Sequence, residues 1–472
     1  MKTPNLNDAR LREKTKINII DSSNIKIPQI GIGKTYNIRT YGCQMNVHDS
    51  EKISAILETM GYKKEDNYLK ADIIILNTCA VRENAHNKVF GFLGRIKHLK
   101  RDRPDILVGL CGCMSQEEVV VEEVLNKYAW LDIVFGTHNI QNLPKLLLNS
   151  IEERKIEVEV LSNSSDIVEN LPIKRDSKYK AFVNIMYGCD KFCTYCIVPY
   201  TRGKQRSRRK EDILNEIQKL KNDGYKEITL LGQNVNSYGK DFENSNYRFE
   251  NLLEDSAKIG IERIFFVTSH PWDFTDSMID IIAKYENVCP FIHLPVQSGS
   301  TKILRTMGRR YSKEDYLTLV SKIRKKIPSA TISTDIIVGF PNETKEDFEE
   351  TLSVVNICKY DLAYTFIYSK REGTPAAKID DNIPLEIKEE RLQKLNMLVN
   401  NYAKENNEKL IGQTLSVLLE GVSTKHKNML YGHSSTMKNV NVFCDESLLG
   451  QIVNVKITNA KSFNLEGELI SE

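Results

Sequence analysis

The sequence has 472 residues, of which 41% are hydrophobic and 27% are charged, so it can bury sizeable cores and is longer than one average domain. Its 66 Lys and Arg against 63 Asp and Glu leave a formal net charge of +3, which excludes a polycation that coats nucleic acid without regard to sequence. No apolar run approaches a membrane span, and residues 1–20 lack the apolar stretch of a signal peptide. We therefore expect a cytoplasmic protein with no membrane partner, in which the ten cysteines do not form disulfides and their spacing is examined for metal or redox chemistry.

The first third of the chain predicts an α/β domain. Residues 1–33 show little apolar periodicity and are expected to form a polar N-terminal arm without regular structure. From residue 34 to 150, short apolar runs alternate with helix-period stretches, which is typical of an open, doubly wound α/β domain. The predicted strands include Asp72–Leu76, Ile106–Leu110 and Ile133–Phe135. Asp49 and Ser50 are expected to cap a helix, and residues 149–177 are mixed in charge and are predicted to be a linker.

A second series of strands and helices is expected within residues 175–406. Its predicted strands are Phe182–Met186, Glu227–Leu231, Arg263–Val267, Pro290–Leu294, Thr331–Ile337 and Ala363–Tyr368. Six successive units of this kind favour a barrel or a partial (β/α)6 barrel. Residues 408–472 then switch to two-residue alternation, which predicts a small antiparallel β barrel. Its expected turn glycines are Gly412, Gly421, Gly432 and Gly450.

The sharpest motif is a C-x3-C-x2-C group directly after the first strand of the second series. It comprises Cys189, Cys193 and Cys196. Three thiolates at this spacing can bind three irons of a [4Fe-4S] cube and leave the fourth iron open to a substrate. The alternative is a structural zinc site, which needs four closed ligands, yet no His or Cys occurs in the 70 residues after Cys196.

Three further cysteines each follow a predicted strand of the first domain. They are Cys43, Cys79 and Cys113. Loops at the carboxyl edge of an open α/β sheet converge on one crevice, so a second three-thiolate site is plausible. Cys111 competes with Cys113, and the sequence alone does not separate them. The alternative is that all of these cysteines serve as small buried apolar residues.

The motifs resemble those of a known family. The C-x3-C-x2-C loop resembles the cluster loop of radical S-adenosylmethionine (SAM) enzymes, and YGCQMNVHDSE, NTCAVRENA and GCMSQ are similar to motifs of the methylthiotransferases. The C-terminal segment resembles the TRAM module, an OB-like RNA-binding barrel. QMN after Cys43 and AVRE after Cys79 indicate the MiaB-type branch, which methylthiolates carbon 2 of N6-dimethylallyladenosine at position 37 of tRNA, beside the anticodon. The alternatives are sister branches that act on threonylcarbamoyladenosine or a ribosomal protein aspartate, and a noncatalytic zinc-stabilised RNA-binding protein.

The resemblance implies two [4Fe-4S] clusters. It assigns Cys189, Cys193 and Cys196 to the cluster that binds SAM, and Cys43, Cys79 and Cys113 to an auxiliary cluster. The resemblance further implies that SAM is both the radical source and the methyl donor, and that the sulfur is delivered at the auxiliary cluster. A radical is needed because the hydrogen on carbon 2 of adenine is not acidic and acid–base chemistry cannot remove it. The implied partners are the tRNA anticodon loop, an electron donor such as flavodoxin or ferredoxin, and a supplier of sulfur or clusters.

Two further groups of residues are weaker candidates. Polar residues after the barrel strands are expected to contact SAM, with strand-end and turn roles, or loop packing for Tyr195, as the alternative. They are Tyr195, Gly232, Gln233, Asn234, Ser269, Gln297 and Asp335. A run of cations after the cysteine loop is expected to contact tRNA phosphates, with a solvated helix face as the alternative. The run comprises Arg202, Lys204, Arg206, Arg208 and Arg209, and Arg202 is also a possible partner of the SAM carboxylate.

Overall fold

The computed structural model describes residues 1–10, 16–23, 27–80, 83–423, 426 and 428–470. Val81 and Arg82, which belong to one sequence motif, lie outside the described residues. The chain divides into two units, one formed by Met1–Asp176, Met186–Phe192 and Cys196–Arg208, the other by Ser177–Ile185, Cys193–Tyr195 and Arg209–Glu472. Within the described ranges, no helix has the length and apolar character needed to cross a membrane.

The first unit is built on a six-stranded parallel sheet. The unit has eight strands up to residue 169 in the described part of the chain, of which the first and the last form a separate two-stranded sheet. They are β1 (Asn18–Asp21), β2 (Thr35–Thr40), β3 (Lys63–Lys64), β4 (Ile73–Thr78), β5 (Leu107–Gly112), β6 (Ile133–Phe135), β7 (Glu157–Glu159) and β8 (Asp166–Glu169). Its helices to residue 153 are α1 (Leu6–Arg10), α2 (Gln44–Thr59), α3 (Glu83–Asp102), α4 (Glu118–Lys127) and α5 (Leu143–Glu153). The strand order is β3-β2-β4-β5-β6-β7.

Both faces of this sheet are covered. Successive residues of β4 alternate between two apolar cores: Ile74 packs in one with Phe92 of α3, and Ile75 packs in the other with Ile53 of α2. A parallel strand buried on both faces reads as a continuous apolar run, which is why it could be predicted from the sequence. The doubly wound α/β prediction is confirmed.

Three expectations for this unit were wrong. Residues 1–33 include α1, and β1, which pairs in parallel with β8. The expected linker at 149–177 contains the end of α5 together with β7 and β8. These strands are short and polar, so they lack the apolar signal of a buried strand. Asp49 and Ser50 do not cap α2: the helix begins after Cys43, and both residues are buried inside it.

The chain then passes through β9 (Lys180–Asn184), β10 (Met186–Tyr187), α6 (Val198–Thr201) and β11 (Arg206–Ser207). The antiparallel pair β10 and β11 and helix α6 belong to the first unit, and β9 begins the second. The following strands are β12 (Glu227–Leu231), β13 (Arg263–Phe266), β14 (Phe291–His293), β15 (Thr331–Val338) and β16 (Leu362–Ile367). The accompanying helices are α7 (Lys210–Asn222), α8 (Phe249–Ile259), α9 (Asp276–Lys284), α10 (Thr301–Thr306), α11 (Lys313–Lys326), α12 (Lys345–Cys358) and α13 (Leu385–Glu408).

These strands form the partial barrel that the sequence predicts. They pair in parallel as β13-β12-β9 and β14-β15-β16. Ile264 of β13 also forms a parallel bridge with Val288, just before β14. Helices alternate with the strands along the chain, as in a (β/α) barrel.

The C-terminal part is a small closed barrel. Its strands are β17 (Thr414–Val422), β18 (Met429–Ser434), β19 (Asn439–Phe443), β20 (Ile452–Ala460) and β21 (Leu465–Leu469), in the order β17-β18-β19-β21-β20. The predicted small barrel is confirmed. All of its pairs are antiparallel except β19 and β21, which pair in parallel. Gly421 and Gly432 lie inside strands rather than in turns. A Cβ on Gly432 would lie 1.9 Å from the Leu418 carbonyl oxygen, so close approach of the neighbouring strand requires glycine there.

Candidate functional site

Three cysteines follow three neighbouring strands of the first unit. Cys43 comes after β2 and immediately precedes α2, Cys79 directly follows β4, and Cys113 directly follows β5. Strands β2, β4 and β5 are adjacent and parallel, so these cysteines lie at one edge of the sheet. Cys79 and Cys113 are buried and Cys43 is exposed. This edge is where open α/β sheets place their ligands.

Asn46, in the first turn of α2, joins two of these thiols. The Cys43 and Cys113 Sγ atoms lie 3.6 and 3.9 Å from Asn46 Oδ1. The Asn46 amide donates to the Thr78 carbonyl at 2.8 Å, which fixes it beside Cys79. A Cβ on Gly42 would lie 2.8 Å from the Cys79 Cβ, so glycine leaves the space that these thiols need. A donor set of three thiols beside Gly42 fits an iron–sulfur cluster.

The structure separates Cys113 from Cys111. Cys111 lies within β5 and packs in the apolar core that contains Ile53 and Ile75. Cys113 instead packs with Ala80 and Tyr200 at the sheet edge. Burial raises the pKa of the Cys113 thiol to about 12, although Arg202 acts to lower it.

Arg202 reaches this group of thiols from the segment after the cysteine loop. Its Nε donates to Cys113 Sγ at 3.2 Å and one Nη donates to Asn46 Oδ1 at 3.4 Å. The same Nη forms a 2.8 Å ion pair with Asp49. Arg202 is only 4% exposed, so the prediction that it contacts tRNA phosphate was wrong.

Two other cations of the predicted phosphate-binding run are also internal. Arg206 is buried and donates to the Ser164 carbonyl at 2.7 Å. Arg208 is buried and pairs with both oxygens of Glu169, at 2.7 and 2.6 Å. The sequence suggested a free cationic surface because the partners of these arginines are distant along the chain. Arg209 is exposed and pairs with Asp212, and Lys204 is partly exposed, so both remain predicted phosphate contacts.

The C-x3-C-x2-C cysteines have separate local surroundings. Cys189 and Cys196 belong to the first unit and Cys193 to the second. The Cys189 amide donates to the Gly203 carbonyl at 3.1 Å, and its sulfur accepts from the Lys191 amide at 3.4 Å. Cys189 and Cys193 are buried, and Cys196 is partly exposed.

Arg309 is a candidate that the sequence reasoning missed. This buried guanidinium donates to Cys193 Sγ at 3.6 Å, to the Pro295 carbonyl at 2.7 Å and to the Tyr311 hydroxyl at 2.9 Å. Burial acts to lower the pKa of Arg309, but Tyr311, Tyr195 and Cys193 raise it well above its ordinary value. The only local signal was the pair of arginines in MGRRY, which does not show which one is buried.

Polar atoms lie unpaired at the carboxyl ends of β12 and β13. Gln233 Oε1, Asn234 Oδ1 and Ser269 Oγ are buried and have no hydrogen-bond partner in the described part of the chain. The other end of the Asn234 amide is fixed, since it donates to Asp273 at 2.7 Å. Orphaned buried polar atoms are costly and indicate an absent polar ligand, so these residues fit SAM. Gly232 is buried beside them.

The remaining SAM candidates have different surroundings. Gln297 takes a left-handed backbone with φ of 71°, and its main chain pairs with β15 through Asp335 O and Ile337 N. Asp335 lies within β15 rather than at its end, and its carboxylate faces His293 at 3.5 Å. Tyr195 packs against Phe340 with ring centroids 6.5 Å apart.

The ligand geometry differs from that of a single-ion site. Among the residues that the structure describes, no three His, Cys, Asp or Glu side chains come close enough to hold one metal ion. A structural zinc needs four ligands that converge on one atom, whereas an iron–sulfur cube takes its thiolates on separate irons.

Comparisons with known proteins agree with this architecture. Residues 183–355 match the model of the radical SAM superfamily, residues 35–136 that of uncharacterized protein family UPF0004, and residues 408–470 that of the TRAM domain. A solved radical S-adenosylmethionine methyltransferase, TsrM from Kitasatospora setae, shares the fold with a TM-score of 0.51 at 13% identity, over 82% of this chain and 79% of that one.

Curated relatives cover nearly the whole chain. A tRNA-2-methylthio-N(6)-dimethylallyladenosine synthase of Staphylococcus epidermidis is 53% identical over 99% of this chain and 92% of its own length. The protein of the same name from Bacillus mycoides is 54% identical over the same shares. The chain belongs to the family of the tRNA-2-methylthio-N(6)-dimethylallyladenosine synthases.

Proposed function

We propose that this chain methylthiolates carbon 2 of N6-dimethylallyladenosine beside the anticodon of tRNA. The observation that carries the proposal is the placement of Cys43, Cys79 and Cys113 after three adjacent parallel strands of the first unit. Family membership supports the same reaction, since the curated relatives are named for this product. The branches that act on threonylcarbamoyladenosine or a protein aspartate are the alternatives.

The residues of the chain would hold two [4Fe-4S] clusters. Cys189, Cys193 and Cys196 would bind the one that takes SAM, and Cys43, Cys79 and Cys113 the auxiliary one. When bound, these groups and SAM supply the one-electron chemistry that removes the unactivated hydrogen of adenine and the sulfur that is attached to the carbon. The protein would contribute the ligand thiolates and two buried guanidinium groups, one at Cys113 and one at Cys193.

The polar atoms at the carboxyl ends of the barrel strands would orient SAM. The carbonyl oxygens of Gln233 and Asn234 can accept from its amino group or from the adenine amine. The Ser269 hydroxyl can donate to its carboxylate or accept from a ribose hydroxyl. Because these atoms are already buried, binding them costs little further desolvation.

The tRNA would be bound through stacking of its bases on aromatic side chains as well as through charge. Three aromatic side chains of the closed barrel are exposed: Tyr431 at 46%, Phe443 at 64% and Phe463 at 58%. Exposed rings stack on unpaired bases, and an anticodon loop presents such bases at low cost. The reaction also requires an electron donor, of the flavodoxin or ferredoxin kind, and a supplier of sulfur or clusters.

Nucleoside analysis tests the proposal. A strain lacking this gene should lose 2-methylthio-N6-dimethylallyladenosine from its tRNA while retaining dimethylallyladenosine, and the intact gene should restore it. Normal levels in the deletion strain would refute the assignment, and loss of 2-methylthio-threonylcarbamoyladenosine instead would favour the sister branch.

Cysteine variants test the two clusters separately. Cys189→Ala should abolish SAM cleavage by anaerobic protein, whereas Cys113→Ala should leave cleavage to 5′-deoxyadenosine measurable and stop product formation. Cys111→Ala is the matched control, since this thiol packs in the apolar core two residues away. About eight iron and eight sulfide per chain are expected. Zinc without sulfide would end the radical interpretation.

A further inference from the structure

We propose that Arg202 is a positioning residue that raises the reduction potential of the auxiliary cluster through its hydrogen bond to Cys113. This inference rests on the proposed function, because it takes Cys43, Cys79 and Cys113 as the ligands of that cluster. The sequence assigned Arg202 to the substrate, and its geometry instead directs it to a sulfur atom.

The contacts of Arg202 form a fixed fork. Its Nε faces Cys113 Sγ at 3.2 Å, and a terminal nitrogen faces Asn46 Oδ1 at 3.4 Å and an Asp49 oxygen at 2.8 Å. Asn46 Oδ1 is itself within 3.9 Å of the Cys43 and Cys113 sulfurs. The guanidinium therefore acts on one ligand directly and on the amide that touches two ligands.

The fold fixes this position. Arg202 directly follows the short helix α6 as its C-cap residue, and its amide donates to the Val198 carbonyl at 2.8 Å. The Thr201 carbonyl accepts from the Thr137 hydroxyl at 2.9 Å, and Tyr200 packs with Ala80 and Cys113. The backbone is therefore held in place beside Cys113, and the Arg202 side chain is oriented by its own bonds to Cys113, Asn46 and Asp49.

The charge balance gives the sign of the effect. Asp49 places one negative charge against the Arg202 guanidinium, and the three thiolates that would hold the cluster would add more negative charge beside it. An arginine guanidinium is not deprotonated in proteins, so the positive charge persists in this buried position. Adding an electron to a cluster adds negative charge, which a buried cation on a ligand sulfur favours.

The test isolates the auxiliary cluster in the full-length chain. Cys189, Cys193 and Cys196 are all replaced by Ala, and iron, sulfide and the EPR-monitored reduction potential are measured anaerobically. In this background Arg202→Gln should lower the ratio of reduced to oxidised cluster about tenfold at a fixed solution potential, or about 59 mV for a one-electron couple. Arg202→Lys should give a smaller shift in the same direction, since it keeps the charge and loses the fork.

A second variant should shift the reduction potential of the auxiliary cluster in the opposite direction. Asp49→Asn removes the counter-charge of Arg202 and leaves its bond to Cys113, so the potential should rise. Arg206→Gln is the matched control, because it removes a buried guanidinium of the same segment that bonds to the Ser164 carbonyl. It should leave the potential unchanged. Opposite shifts for Arg202→Gln and Asp49→Asn are not expected of a residue that only supports the fold.

Two failures are distinguishable. If the background variant binds no iron or sulfide, the proposed auxiliary site itself is wrong. If it holds a cluster whose potential is the same with Arg202→Gln, Arg202→Lys and Asp49→Asn, the proposed function survives and the role of Arg202 is overturned. Should Arg202→Gln lose its cluster, Asp49→Asn and Arg202→Lys decide between the two outcomes.

Discussion

The buried ion pair of Arg208 and Glu169 offers the clearest test of the revised role of the cation run. Both side chains are buried, and two hydrogen bonds of 2.7 and 2.6 Å join them. Glu169 ends β8, the strand that pairs with β1. If Arg208 contacts tRNA, its loss weakens binding; if it serves Glu169, its loss destabilises the first unit.

The magnitude follows from the geometry. Two unit charges about 4 Å apart attract each other by about 4 kcal/mol at an effective dielectric constant of about 20. Removing one partner of a buried pair leaves an unpaired charge and costs about 3–5 kcal/mol. For a unit of this size each kcal/mol lowers the unfolding midpoint by about 2–4 °C, so Arg208→Ala should lower it by at least about 6 °C.

Calorimetry and salt titration provide the measurement. Arg208→Ala should shift the thermal unfolding of the anaerobic protein, while the slope of tRNA affinity against salt stays the same. The double variant Arg208→Met with Glu169→Leu should recover most of the loss, because a neutral pair leaves no buried charge. Arg209→Ala, at an exposed pair with Asp212, should cost less than about 1 kcal/mol. If Arg208→Ala leaves the thermal unfolding midpoint unchanged and lowers the slope of tRNA affinity against salt by about 1, the reasoning is refuted and Arg208 is assigned to a tRNA phosphate.

Further variants test the closed barrel and its contact with the (β/α) barrel. Gly432→Ala should destabilise the protein by about 1–3 kcal/mol in urea unfolding, because a Cβ would clash with the Leu418 carbonyl. Gly94→Ala on α3, where a Cβ meets nothing within 4 Å, is the control and should be neutral or stabilising. Burial acts to lower the pKa of His433, but hydrogen bonds to Glu227 and Glu420 raise it above 6.5. The protonated histidine should therefore stabilise this contact fully below about pH 6.5 and lose that effect as the pH rises through its raised pKa, and His433→Gln should flatten the pH dependence of the thermal midpoint.

The parts of the fold that the sequence predicted well are those whose signal is local. Glu227–Leu231 and Ile133–Phe135 were predicted with the bounds that the structure has, because fully buried strands read as short apolar runs. The polar strands β1 and β8 were missed, since their pairing depends on residues almost 150 positions apart. The helix start at Gln44 was missed because no side chain caps it: Cys43 stands at the N-cap without a side-chain hydrogen bond.

The residues of the candidate site also fall into those that a local sequence signal predicts and those that only the folded chain brings together. The two trios could be proposed from different signals: one has cluster spacing within a single loop, and the members of the other follow successive strands of a repeating pattern. The sequence left Cys111 and Cys113 open. The structure separates them because Cys111 lies within β5 and packs in the apolar core, whereas Cys113 follows the end of the strand, after Gly112 with its positive φ of 96°, and packs at the sheet edge. Asn46, Arg202 and Arg309 were not assigned to the thiols, because each meets a sulfur only after the chain has folded.

The arginines between residues 202 and 209 show why a cationic run does not define one function. Arg202 meets a sulfur, Arg206 a carbonyl, Arg208 a buried carboxylate and Arg209 a surface carboxylate. The free energy of each contact depends on burial and on the charge of the partner, neither of which the run encodes. Replacing several of them together would combine a loss of stability at Arg208 with any loss of phosphate contact at Arg209, and weaker tRNA binding would then have two causes. Single replacements, each with its stability measured beside its salt slope, are therefore required to assign tRNA contacts in this segment.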